Sequence, residues 1–212
     1  LENLAHAFPS RSAAERRTLA KAMYAHFGGL VFELLRFGTL TRDQMSVQAR
    51  AMDKQDIADL RRWYRNAALR CRKMEFDLVC IYAAHGFGAP QHFLSRRFNH
   101  RSDEYGGSLE NRTRLLREIT EDVKSAIGDR CAVSVRVSMD ELIGPAGLHK
   151  EEMHDAIGLM AELPDLWDLA HGSWDYCSGT SRFAEEGHLE SYIKGIKALT
   201  STLASRQCCL PQ

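Results

Sequence analysis

Tyr82 and His85 stand three residues apart, directly after the apolar run Leu78-Val79-Cys80-Ile81. Such a run reads as a buried strand, so both ionisable side chains fall at a strand's carboxyl end, where parallel sheets and barrels carry their chemistry. A phenol can deliver a proton to a developing carbanion or orient an amine, and a nearby imidazole tunes it. The same pair can equally serve packing plus one hydrogen bond. Two more charges interrupt strand-like runs: Glu33 within Leu30 to Leu35, and Arg136 within AVSVRV, Ala132 to Val137. A buried charge needs a partner. For Glu33 that partner is Arg36 or Arg136; for Arg136 it is a carboxylate paired with it for structure.

The elements that must position these residues follow from periodicity. Pro9-Ser10 marks a helix start capped by Ser10 or Ser12, and the apolar positions Leu19, Ala20, Met23 and Phe27 continue it to Gly28-Gly29. After the Leu30 to Leu35 strand and a loop over 36–52, Asp53 caps a helix to about Met74. Its inward residues are Ile57, Leu60, Trp63, Tyr64, Ala67 and Ala68. Arg61, Arg62, Arg65 and Arg72 of the same helix form a solvated face, with no aromatic pattern for nucleic acid. Beyond the Tyr82/His85 strand and a linker carrying Gln91 and His92, Ser108 caps a helix over Leu109 to Ile127, and Gly128 ends it. Then come the Ala132 to Val137 strand, a helix over about 150–163, the strand Leu166 to Ala170, a loop from His171, and a helix over about 189–200.

This alternation has no hairpin signal and implies an α/β fold with a parallel sheet. Nothing like GxGxxG follows the first strand, so a (βα)8 TIM-barrel segment is preferred to a nucleotide-binding doubly wound sheet. The segment is incomplete: it has about four consecutive βα units, against eight in roughly 250 residues for a whole barrel.

Composition narrows the partners. With 212 residues, 44% hydrophobic, the chain can bury a substantial core. Lys+Arg and Asp+Glu both number 28, which gives no basic surface for nucleic acid or an anionic membrane. No apolar run is long enough to span a membrane, and the expected location is the cytoplasm. The six cysteines form no CxxC pair and read as reduced thiols, with Cys80 and Cys131 in the core. His149 and His154 in HKEEMH are five apart, so they do not share a helical face, and no metal site is expected.

RSDEYGGSLENR (Arg101 to Arg112), preceded by Tyr82-Ala83-Ala84-His85-Gly86, resembles the old yellow enzyme family of FMN-dependent oxidoreductases, in its trimethylamine dehydrogenase-like branch. The likeness runs from about Leu19 to about Ser201. It implies that the four units are strands three to six of the family's barrel, and that residues 1–201 form a partial FMN-oxidoreductase-like domain followed by an atypical tail, 202–212. It implies FMN as cofactor, with Arg136 on the N1/C2=O side of the flavin and Glu33 at its pyrimidine edge. Hydride would pass between flavin and an N-methylated amine or enoyl substrate. Tyr82 and His85 map onto the branch's catalytic Tyr/His pair, and Trp174 onto an aromatic that cages an alkylammonium.

The branch adds a catalytic Asp; the straightforward alignment puts Cys177 there, and Asp175, two residues earlier, is the candidate. Arg36 replaces a His of the family pattern. The family's phosphate site belongs to the last two strands. The alternative is therefore a truncated, non-catalytic fragment acting as an interaction module. Either reading allows a homo-oligomer or association through exposed sheet edges.

Overall fold

The computed structural model describes residues 9–18, 20–21, 52–174, 176, 185 and 187–206. The chain forms two compact units, Leu1–Met45 and Ser46–Gln212. In the first, residues 13–18 are helical, and Ser12 is the cap: its hydroxyl accepts from the Glu15 amide at 3.3 Å while Glu15 accepts from the Ser12 amide at 2.8 Å. The expected strand Leu30 to Leu35, with Glu33 and Arg36, lies outside the described residues.

In the second unit α1 (Lys54–Lys73) opens on a capping box between Asp53 and Asp56. It leads to β1 (Leu78–Ala83), a short helix α2 (Gly88–Leu94), α3 (Leu109–Ile127), β2 (Ala132–Ser138) and α4 (Lys150–Gly158). Then follow β3 (Leu166–Ala170), two single-turn helices α5 (Glu190–Ile193) and α6 (Ile196–Leu199), and β4 (Leu203–Arg206). The strands make one sheet in the order β1-β2-β3-β4, every pair parallel.

Ile81, Ala83, Val133, Val135, Val137, Trp167 and Leu169 join Leu115, Leu116, Ile119 and Val123 of α3 and Met153 and Ile157 of α4 in one buried cluster. Burial of this one face fixes the register, because a one-residue slip would turn it over.

Several expectations change. The tail beginning at Thr202 supplies β4, which pairs Leu166 with Leu203 and Asp168 with Ser205. The β3 edge offers a ladder of unpaired backbone groups, and ladder pairing overrides the weak strand propensity of LASR. The helix expected over 189–200 breaks at Gly195, whose φ of 98° is left-handed. The one expected to reach residue 163 stops at Gly158, ahead of turns that end in Pro164. Trp63 is 60% exposed because it flanks the stripe of Ile57, Leu60, Tyr64 and Ala68 rather than lying in it. Cys80 is exposed on the sheet face away from the core, while Cys131 is buried as expected.

The long motif around residues 101–112 is a structural clamp. Arg101 pairs with Asp103 and donates to the Met52 carbonyl. Asn99 Nδ2 donates to the Phe93 and Tyr105 carbonyls. Tyr105 donates its hydroxyl to Glu118 at 2.8 Å, and burial together with that carboxylate pushes its phenol up to about 12. Arg112, buried, donates to the Leu94 and Gly107 carbonyls and pairs with Glu152, tying α3 to α2 and α4. A Cβ at Gly106 would fall 2.1 Å from the Arg101 carbonyl oxygen, so only glycine fits there.

Candidate active site

Strand alternation puts Tyr82, Arg136 and Asp168 on the sheet face opposite the apolar cluster. Tyr82, Arg136 and Asp168 are register partners across β1, β2 and β3, so they lie in one row. The Arg136 guanidinium carbon sits 5.8 Å from the Tyr82 ring centroid, a cation–π arrangement. Its Nε lies 3.2 Å from Asp168 Oδ2, an ion pair between half-buried side chains. The N–H is not directed at that oxygen, so this buried donor makes no hydrogen bond among the described residues. A carboxylate partner for Arg136 is therefore present, on the neighbouring strand, and the guanidinium keeps capacity for a further acceptor.

Beyond the end of β1 the chain turns through His85 at φ 58° and Gly86 at φ 77°. A left-handed histidine persists only where its surroundings over-determine it. Here they do. The His85 amide donates to Ser138 Oγ at 2.8 Å. The His85 carbonyl accepts from the Trp174 amide at 3.0 Å, and the Gly86 carbonyl accepts from His92 Nε2 at 2.9 Å.

The imidazole is buried, with Nδ1 3.1 Å from the Gly172 carbonyl. A carbonyl only accepts, so Nδ1 carries the hydrogen and Nε2 the lone pair. Burial holds the His85 pKa below the ordinary histidine value, the Gly172 carbonyl pulls it back, Arg136 pushes it lower and Asp168 raises it. The balance favours the uncharged imidazole, whose ring centroid lies 6.2 Å from that of Tyr82.

Trp174 hangs from the same turn, with its indole 63% exposed and edge-on to Phe87 at 5.1 Å. The structure therefore brings Tyr82, His85, Arg136 and Trp174 to the carboxyl end of β1–β3. Glu33, Asp175 and Cys177 lie outside the described residues. The histidines of HKEEMH go to different partners: His149 lies 3.8 Å from Asp140, and His154 Nε2 is 2.8 Å from the Tyr192 carbonyl. Among the described residues no group of side chains could hold a metal ion, and no helix is long and apolar enough to cross a membrane.

Sequence reasoning missed Asp168, Ser138 and Glu141. The first two carried a signal: Ser134, Arg136 and Ser138 are polar at every second position of β2, and Asp168 alone is polar in LWDLA. Glu141, in a loop, carried none. It is buried and accepts from Gln91 Nε2 at 2.8 Å, Ser95 Oγ at 2.6 Å and the Leu148 amide at 2.7 Å.

The family model described as NADH:flavin oxidoreductase / NADH oxidase matches residues 34–199. The chain belongs to this family. It is 37% identical over 153 residues to dimethylamine dehydrogenase of Hyphomicrobium sp. (strain x), covering 70% of this chain and 21% of that protein. It is 31% identical over 172 residues to an NADPH dehydrogenase of Clostridium acetobutylicum, covering 81% and 47%. Histamine dehydrogenase from Rhizobium sp. 4-9 superposes with a TM-score of 0.69 at 55% identity, over 73% of this chain and 22% of that one. The chain spans less than half the length of each of these relatives. Structural neighbours of this kind are TIM-barrel oxidoreductases, and the family binds FMN.

Proposed function

We propose that this chain carries the substrate-facing part of an FMN-dependent amine dehydrogenase whose substrate is an N-methylated amine. The observation that carries this reading is Trp174. Its backbone amide donates to the His85 carbonyl, and its exposed indole, edge-on to Phe87, offers a π-face to an alkylammonium. Two of the relatives above are named for amines, and the third for NADPH.

The residues fit the cofactor. Arg136, whose Nε is ion-paired to Asp168 but makes no hydrogen bond among the described residues, supplies permanent positive charge for the N1/C2=O side of the flavin ring, and Glu33 is assigned to the pyrimidine edge. FMN, when bound, supplies the hydride acceptor. The chain's own residues do the rest. Trp174 and Phe87 hold the cationic substrate, Tyr82 and His85 orient it, and His85 takes a proton at Nε2, a role that suits a base kept neutral by burial. Asp175 is assigned to support His85. In this reading β1–β3 are the fourth to sixth strands of the barrel.

The test is FMN titration of the full chain followed by anaerobic addition of dimethylamine, with an enoyl compound plus NADPH as comparison. Arg136→Ala should weaken FMN about 10- to 100-fold, the effect of losing one charge-assisted contact of roughly 1.5–3 kcal/mol. Bleaching of the flavin by the amine, with Trp174→Ala raising the amine concentration required, is the expected result. Unchanged FMN affinity in Arg136→Ala would remove its assignment; enoyl turnover without amine bleaching would make the protein a reductase.

A further inference from the structure

Ser138 is the last residue of β2 and is buried. Its single hydroxyl has two partners from two other strand ends. Oγ accepts from the His85 amide at 2.8 Å and donates to the Gly172 carbonyl at 3.1 Å. That same carbonyl lies 3.1 Å from His85 Nδ1. The three residues thus close a ring of contacts: backbone of His85, hydroxyl of Ser138, carbonyl of Gly172, imidazole of His85. A serine filling space in the core would leave the His85 amide or the Gly172 carbonyl to other partners, and Val133, Val135 and Val137 of the same strand already do the apolar packing.

We infer that Ser138 is a positioning residue of the site: it holds the His85 backbone in its left-handed turn and aims the Gly172 carbonyl that fixes the imidazole tautomer. The inference rests on the reading of His85 as part of the site. The left-handed conformation disfavours a non-glycine residue, so the turn needs each of its contacts, and losing the one to Ser138 loosens it. The tautomer follows. With Gly172 aimed, Nδ1–H is favoured and Nε2 carries the lone pair; with it loosened, both tautomers become accessible. Charged and titratable groups around His85 are Tyr82 on β1, Arg136 on β2, Asp168 on β3 and His171 after β3. None of these side chains hydrogen-bonds Ser138 Oγ among the described residues.

The experiment compares Ser138→Thr with Ser138→Val, which match in shape and differ in the hydroxyl, in the full chain without added flavin. Nitrogen-15 chemical shifts of the His85 ring report the tautomer. Wild type and Ser138→Thr should hold the Nδ1–H form in about tenfold excess, as one net hydrogen bond of about 1 kcal/mol or slightly more allows. Ser138→Val should bring the two forms near equality. An unchanged tautomer in Ser138→Val, with the fold retained by circular dichroism, overturns the inference.

Should neither variant fold, amide exchange in the wild type decides. Strong protection of the His85 amide supports the contact, and exchange near the unfolded-chain rate overturns it. If the tautomer shifts while amine turnover in the FMN-loaded chain does not, Ser138 keeps its positioning role and the catalytic assignment of His85 fails.

Discussion

Replacing Glu141 tests how the loop after β2 is held. The carboxylate is buried at 1% exposure, and three donors converge on it: Gln91 Nε2 from α2, Ser95 Oγ just after α2, and the Leu148 amide. Each hydrogen bond to a charged acceptor contributes roughly 1.5–3 kcal/mol, and each buried donor left alone costs about 1–3 kcal/mol. These effects overlap, so Glu141→Ala should destabilise by about 3–6 kcal/mol, a large share of a domain's usual 5–15 kcal/mol. Glu141→Gln separates the contributions. It keeps one oxygen but turns an amide NH2 toward Ser95 and Leu148; the hydroxyl can rotate to accept, whereas the Leu148 amide cannot. That variant should lose about 2–3 kcal/mol. Urea denaturation followed by tryptophan fluorescence is the assay, with Glu121→Gln on the exposed side of α3 as a control expected within about 0.5 kcal/mol of wild type. A loss below about 1 kcal/mol in Glu141→Ala would refute the accounting and mean that water or a rearranged loop replaces the carboxylate.

Burial lowers the folded-state pKa of His85, His92 and His171, so between those values and the ordinary ~6.5 the unfolded chain binds more protons. Stability should therefore be complete above about pH 6.5 and fall as pH drops through the folded values, by at most about 1.4 kcal/mol per pH unit for each histidine. Equal urea midpoints at about pH 7.5 and about pH 5.5 would contradict it. Arg112→Lys keeps the charge but cannot reach the Leu94 and Gly107 carbonyls and Glu152 together; a loss of about 2–3 kcal/mol in the same assay is expected, and a loss under about 0.5 kcal/mol would mean that the motif's arginine is not a clamp.

Strands β1–β3 and the long helices of the second unit were legible because each carries a strong period and a chemical stop. Asp53, Ser108 and Gly128 mark the boundaries of α1 and α3 as anticipated, and β3 falls on the anticipated residues. What escaped was set by tertiary contact. β4 has no apolar alternation and forms because β3 offers an edge. The short helix α2 is buried almost throughout, so no amphipathic stripe betrays it. In the site, the residues with unusual chemistry for their element, Tyr82, His85 and Arg136, were legible, whereas Asp168, polar in an apolar strand, gained a role only as the partner opposite Arg136. Glu141 is a loop carboxylate whose burial depends on three segments meeting, and no local pattern encodes that.

The sheet also argues for a ligand on its second face. Strands of an all-parallel sheet are normally apolar on both sides, because helices cover both or side-chain layers fill the barrel. Here one face is apolar throughout, while the other presents Ser134, Arg136, Ser138 and Asp168 on two adjacent strands. Fold stability does not explain that choice, since apolar residues of similar volume are often as good as or better than an ion pair. The placement is graded along the strands. Ser134, deeper along β2, approaches only the Val79 carbonyl, at 3.4 Å, while Arg136, Asp168, Ser138 and His85 cluster toward the carboxyl ends. Polar groups concentrated at that end of a parallel sheet, with one buried guanidinium nitrogen that makes no hydrogen bond among the described residues, suit a site for an electron-rich ring.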